Sequence, residues 1–395
     1  MLKRILLICL LINISLDLVA KEPDFSGNIG IEFRGFTQSP RFNNQGQGIE
    51  SSLFVQPEIK WRSDDKSKRF SFVGFARADE QDSERNHIDI RELYWSFRHN
   101  NWTTEIGINK VFWGVTESVH LIDVINQTDL VEDIDQEDKL GQAMIHVSNQ
   151  QNWGRLEFFI LPYFRERTFT GTDGRFNFGL KVSDDVIYES AAEQKHLDLA
   201  FRYSHYFGDV DVGLSLFDGT SREARLILNN GFSQFIAVYD QMQQLGIDIQ
   251  YTRESWLWKL ESLYRNTGFD NFWAAVGGFE YTLYQIFDSS ADLGLLLEYQ
   301  YDGRNNISPA SIADNDLFLA ARYALNDIND SSVLAGVGID IENNTTFLNI
   351  EAERRFGKSL SAELRIRVFT NVASNDLTSL FSNDDYVQLS LNWFF

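Results

Sequence analysis

Along most of this chain apolar and polar side chains alternate one for one, and that habit restricts the backbone to β-strands. In residues 360–369, Leu360, Ala362, Leu364, Ile366 and Val368 fall on one face, and Ser361, Glu363, Arg365 and Arg367 on the other. A helix would repeat its apolar face every third or fourth residue, so no helical period fits. The same alternation sets Leu53, Val55, Pro57, Ile59 and Trp61 against Glu58, Lys60 and Arg62, and Leu293, Leu295, Leu297 and Tyr299 against Glu298. It returns at Trp256, Trp258 and Leu260 against Lys259 and Glu261, at Val333, Ala335, Val337 and Ile339 against Asp340, and at Leu348, Ile350 and Ala352 against Glu351 and Glu353.

The connections separate a barrel in lipid from a soluble sandwich. From the N-terminus they alternate: long at 37–48, short at 63–67, long at 79–86, short at 99–101, very long at 112–140 and short at 150–153. The rhythm continues with long 165–195, short 207–209, long 218–243 and short 253–255, and less sharply beyond. Tight turns on one rim and long loops on the other are the layout of an all-β transmembrane antiparallel barrel, with turns in the periplasm and loops outside. Counting on this basis gives about 18 strands, within a range of roughly 16–18. Residues 231–243 are read as loop, because a strand at 234–239 would make the count odd.

Residues 1–20 carry Lys3 and Arg4, an apolar run from Ile5 to Ile12, and a close at Ala20. That order predicts a secretory signal followed by a barrel over residues 21–395. The one cysteine, Cys9, falls inside the apolar run, so neither a lipoprotein nor a disulfide framework is expected. Beyond that run no apolar stretch approaches the roughly 20 residues of a transmembrane helix. Only 5 prolines suit long hydrogen-bonded ladders. A formal charge of −22 excludes an electrostatic nucleic-acid binder, which needs clustered cations against phosphate.

Tryptophan marks the membrane boundary, since indole is apolar at one edge and wet at the other. Seven of the 9 (Trp61, Trp95, Trp102, Trp153, Trp256, Trp258 and Trp393) fall beside the short turns or the last strand. The final stretch YVQLSLNWFF, 386–395, alternates and ends on an aromatic. It resembles the signature by which the barrel-assembly machinery recognises outer-membrane barrels, which implies an assembly signal in Trp393 and Phe395. The stretches NKVFWGVTE at 109–117 and LIDVINQTDL at 121–130 resemble the Trp-Gly-Glu/Ser and Asn-Pro-x-Asp-Leu loop of a porin-like family of outer-membrane proteins, itself distantly similar to alginate-export barrels. Gln127 and Thr128 stand where distant relatives have proline. The resemblance implies an outer-membrane location and a channel or transport conduit. It also implies work beside an inner-membrane exporter and a periplasmic carrier, with lipid or polymer as cargo.

The expected lumen face carries both charges interleaved: Glu32, Arg34, Glu58, Lys60, Arg62, Arg77, Glu105, Lys259 and Glu261 in the first two thirds, then Arg265, Glu298, Arg322, Glu351, Glu353, Arg355, Glu363, Arg365 and Arg367. A barrel of this size is too wide for wall side chains to fill, so a loop must narrow it. Residues 112–140 are the expected constriction, folded inward and carrying Trp113, Glu117, Asp123, Asn126 and Asp129, with short amphipathic helix character at 118–125. Its acidic excess predicts cation preference. Six histidines stand at no helical metal spacing, and the acidic run 132–138 lacks the glycine of an EF-type loop, so no metal or cofactor is expected. No phosphate-cradling glycine loop appears, and nothing resembles the Ser-Asn-Gly motif of phospholipase barrels, so no enzyme is expected. The competing reading is a structural or adhesive barrel, since long loops bind partners as readily as they gate pores, with an outer-membrane hydrolase as a more remote alternative.

Overall fold

A computed structural model of the chain describes residues 22–311 and 314–395; the signal segment expected at 1–20 lies outside the described residues. Strands β1 (Asp24–Phe36), β2 (Ile49–Arg62), β3 (Lys68–Asp79), β4 (His87–His99), β5 (Trp102–Asn109), β6 (Gln142–Gln151) and β7 (Gly154–Leu161) open the sequence. They are followed by β8 (Ile187–Tyr188), β9 (Asp198–Phe207), β10 (Val210–Thr220), β11 (Arg225–Leu228), β12 (Phe235–Tyr239), β13 (Gln241–Arg253) and β14 (Trp256–Thr267). The remainder are β15 (Asn271–Leu283), β16 (Asp292–Asp302), β17 (Asn315–Ala324), β18 (Ser332–Asp340), β19 (Thr346–Phe356), β20 (Leu360–Thr370) and β21 (Tyr386–Phe394).

All but β8, β11 and β12 join one 18-stranded antiparallel sheet. It closes on itself because β1 pairs with β2 on one side and with β21 on the other, from Asn28 opposite Phe394 to Phe36 opposite Tyr386. The last residue completes the seam, the Gly27 and Phe395 backbones exchanging hydrogen bonds of 3.1 and 3.0 Å. Closure leaves no unpaired strand edge, as a strand structure in hydrocarbon requires.

Alternation sorts the two faces. Leu53 is 50% exposed and Trp273 58%, whereas Glu261 and Glu298 are 0% exposed. A band of exposed apolar side chains around a closed barrel is a surface made for lipid, and this chain is a transmembrane barrel of the outer-membrane kind. Trp95, Trp102, Trp153, Trp256, Trp258 and Trp393 are exposed near the short turns, at the periplasmic rim.

Two details depart from the sequence reading. Residues 235–239 do form a strand, but outside the barrel: β12 pairs antiparallel with β11 and parallel with β8 in a small sheet on the long-loop side. The second departure is a bulge, where register shifts between Val73 and Gly74, so that Glu92 faces Val73, Ile90 faces Gly74, and Arg91 has no partner on β3. The extra residue turns Arg91 inward.

Candidate functional site: the occupied lumen

The loop between β5 and β6 leaves the wall and crosses the barrel. Opposite its root, β14 and β16 each contribute one inward carboxylate. Glu261 on β14 accepts hydrogen bonds from the Val115 N–H at 2.7 Å, the Thr116 N–H at 3.0 Å, the Thr116 hydroxyl at 2.7 Å and the Ile122 N–H at 3.3 Å. Glu298 on β16 accepts from the N–H groups of Glu117 and Ser118, at 2.9 and 2.8 Å, and from the Ser118 hydroxyl at 2.5 Å. In a loop without helix the N–H groups among these donors have no carbonyl one turn back, and a charged acceptor is the strongest they can find. Glu117 in turn pairs with Arg322 of β17 and lies 3.9 Å from Lys259, which is 4.0 Å from Glu280.

Residues 118–125 are irregular, not the expected amphipathic helix. The Ser118 and Ile122 N–H groups are committed to the two wall carboxylates, and of the rest only Asp123 bonds a carbonyl three residues back, that of His120 at 3.3 Å. Apolar burial survives without helix: Trp113, Ile122, Val124 and Ile125 are buried with Met144, Phe159, Leu161, Phe217 and Met242 of the wall. Trp113 meets Phe159 edge-on at 5.5 Å, and the Arg202 guanidinium lies 5.3 Å from its ring. Asn126 clamps the loop's two stalks, accepting from the Val111 N–H at 2.8 Å and donating to Asn109 and Leu140 carbonyls at 2.9 and 2.8 Å. Asp123 accepts from the Trp113 N–H at 3.3 Å and sits 3.5 Å from Lys139.

The acidic arm of the loop is met cation for anion by the wall. Asp129 pairs with Arg91 at 2.5 Å and takes the Thr168 hydroxyl at 2.7 Å; Glu132 pairs with Arg77 at 2.7 Å. Asp133 lies between Arg365, at 2.9 Å, and Arg367, at 2.7 Å, and Asp135 also reaches Arg367 at 2.7 Å. Much of the negative charge that predicted cation preference is thereby neutralised in place. His87 joins this group, its ring nitrogen 3.6 Å from Asp129 and 3.4 Å from Glu132. The three could present ligand atoms within 4.8 Å of one another, but Arg91 and Arg77 already occupy both carboxylates, and the arrangement is that of an ion-pair network.

The other expected lumen residues stand as follows. Glu32 is held by Arg85 at 2.8 Å, Arg77 at 3.4 Å and Arg34 at 3.7 Å, and Arg265 pairs with Glu223 at 3.2 Å. Glu105 pairs with Arg69 at 2.8 Å and with His146 at 3.2 Å; His146 reaches on to Glu157 at 3.1 Å and stacks on Phe159. Glu351 lies 3.6 Å from Arg367, and Glu363 bonds Arg365. Nearer the periplasmic rim, Glu58 pairs with Lys60 at 2.6 Å, Arg355 lies 3.6 Å from Asp330, and Glu353 is exposed. Arg62 lines an open cavity at that rim. Trp393 and Phe395, whose rings lie 5.6 Å apart, face outward beside the seam.

Sequence reading missed the second layer. Residues 162–197 and 221–240 pack over the plug, with Phe164, Val182, Ala237 and Tyr239 as a buried core. Arg175, fully buried, binds Asp384 at 2.8 Å and the carbonyls of Gln38, Gly46 and Asn383, tying three outer loops together. Asp82 accepts from the Gly171 N–H at 3.0 Å and the Glu84 N–H at 3.0 Å; burial first, then neighbouring Asp173 and Asp79, push its carboxyl up to about 6.

An 18-stranded closed wall with an apolar outer band and a loop-filled lumen defines an outer-membrane β-barrel. No protein-family model matches the chain, and no curated protein matches it. Among solved structures it resembles Wzi of Escherichia coli, described as an outer-membrane carbohydrate-binding β-barrel involved in group 1 capsule assembly. Identity there is 11%, covering 92% of this chain and 83% of that one, with a TM-score of 0.53. A Rhodopseudomonas blastica porin variant aligns at 14% identity over 95% of this chain and all of that one, TM-score 0.45, and OmpT of Vibrio cholerae at 10% over 94% and 97%, TM-score 0.45. At such identities the likeness concerns the fold.

Proposed function

We propose that this barrel is a gated transport conduit, held closed by the loop between β5 and β6. The observation that carries this is the mode of anchoring: the loop is fixed to the far wall by Glu261 and Glu298 through hydrogen bonds to its backbone, a contact set that can be released without disturbing the barrel ladder. A wall of this circumference needs no plug for its own stability, since every barrel strand already has two neighbours. Passage would follow displacement of the loop, and the mixed-charge wall beneath it suits a hydrophilic cargo such as a polymer better than an acyl chain. No catalytic step is assigned. Outer-membrane lipid surrounds the barrel, the assembly machinery would meet Trp393 and Phe395, and an exporter or carrier would deliver cargo at the periplasmic rim. The likeness to a carbohydrate-binding barrel accords with a hydrophilic cargo but adds only fold-level support.

The test is planar-bilayer recording of the refolded barrel beside a variant lacking residues 116–138. Rare openings in the full chain and a steady current in the deletion variant are expected. Equal silence in a deletion variant that still folds would favour a structural or adhesive barrel.

A further inference from the structure

Below the plug the lumen widens into a cavity of about 620 Å³, open toward the periplasmic turns. Six cationic side chains line it: Arg62, Lys66, Lys68, Arg69, Arg98 and Arg155. They come from three consecutive hairpins, β2–β3, β4–β5 and β6–β7, which bring their tips side by side on one arc of the rim. Glu105 is the one carboxylate in the lining, and it is already bonded to Arg69. Arg155 has Glu157 at 2.9 Å. Among the described residues, no carboxylate oxygen comes within 4.0 Å of the charged nitrogens of Arg62, Lys66, Lys68 or Arg98.

This is unlike the upper lumen, where Arg77, Arg91, Arg322, Arg365 and Arg367 each have an acidic partner. In a chain of net charge −22, four cations without an ion-pair contact around one cavity are not an average of the composition, even with the Asp65 carboxylate of the same turn drawn toward Lys68. Like charges crowded on a concave wall repel one another, and the walls focus their field, so the cavity attracts an anion from outside. The lining contains no apolar side chain, only serine, threonine, asparagine, glutamine and histidine besides the charges. An acyl chain would gain nothing there, whereas phosphate or carboxylate groups on a hydrophilic body would find charge-assisted donors. The volume is that of an ordinary small-ligand site.

We infer that this periplasmic vestibule is a binding site for a soluble multivalent oxyanion, several phosphate or carboxylate groups carried on a hydrophilic body, which it captures below the closed plug. This deepens the conduit reading by naming the charge class of the cargo and the side from which it arrives, but binding is measurable whether or not the barrel conducts.

The test uses the full refolded barrel in detergent, titrated calorimetrically with tripolyphosphate, with neutral maltohexaose as a control. Saturable, salt-weakened binding of tripolyphosphate and none of maltohexaose are expected. The double variant R62Q/R98Q removes two unmatched cations and should weaken binding about tenfold or more. The variant K358Q, on another periplasmic turn, should leave it unchanged. Absence of binding, or equal loss in K358Q, would overturn the site, and so would maltohexaose binding as well as the anion. A barrel that binds tripolyphosphate yet never conducts would sink the conduit and leave the site standing.

Discussion

Glu261 shows what a single residue does for the closed state, because its carboxylate receives four donors from the loop, three of them backbone N–H groups, while the Thr116 hydroxyl also lies 2.7 Å from the Val119 carbonyl. Replacing it with alanine would strand buried N–H groups, at about 1–3 kcal/mol for each left unsatisfied. The variant E261A should therefore keep its barrel but lose protection of residues 115–122 against hydrogen exchange, while E261Q, which keeps one acceptor, should lose less. Unchanged protection in E261A would mean that Glu298, the ion pairs of the acidic arm and the apolar burial of Ile122 and Ile125 hold the loop without it.

Asp82 gives the pH dependence at the same scale. Its carboxyl is raised from the ordinary value of 3.8 to about 6, so the folded protein binds the proton more tightly than the unfolded chain. That contribution is full below about pH 4 and fades as pH rises through 6. Contacts between residues 80–86 and the loop around Gly171 should then tighten on going from pH 7 to pH 5, seen as slower proteolysis of the outer loops. Substitution D82N should reduce the slope, the remainder belonging to groups such as Asp384, which burial also raises to about 6, and a profile that keeps its full slope in D82N would assign the effect elsewhere.

Among the elements, strands and turns were legible because lipid on one side and polar groups on the other impose period two, and because turns and loops differ in length. The first four connections at 37–48, 63–67, 79–86 and 99–101 match the observed gaps to within a residue. The bulge at Arg91 left a trace as well: exposed residues run Ile88, Ile90, then Leu93 and Trp95, a break in phase that marks one extra residue. What could not be read were partnerships. Nothing in the spacing of Asp133 points to Arg365 and Arg367, more than two hundred residues on, or of Arg175 to Asp384. The helical reading of 118–125 failed for the same reason, since distant carboxylates take the N–H groups of Ser118 and Ile122. At the other end of the chain, Phe395 contributes both backbone bonds to Gly27 and a ring 5.7 Å from Phe25. Deleting it should lower the amount of assembled barrel in the outer membrane, and normal levels would remove it from the assembly argument.

As a whole molecule, the protein is a rigid wall around a filling that is held by separate contacts. The wall is continuous, so unboiled protein should migrate differently from boiled protein on a denaturing gel, and identical mobility would contradict closure. The filling is the central claim, and it can be locked. A Cβ placed at Gly246 on β13 would lie 3.4 Å from the Ile122 Cβ, close to the separation of about 3.8 Å across a disulfide, provided the Ser215 hydroxyl, 2.5 Å from that Cβ, rotates aside. Cys9, the chain's one cysteine, falls within the expected signal. The double variant I122C/G246C, recorded in a bilayer, should be silent when oxidised and regain full-chain openings on reduction. A current that is the same in both redox states, with the disulfide verified, would show that the loop is not the gate.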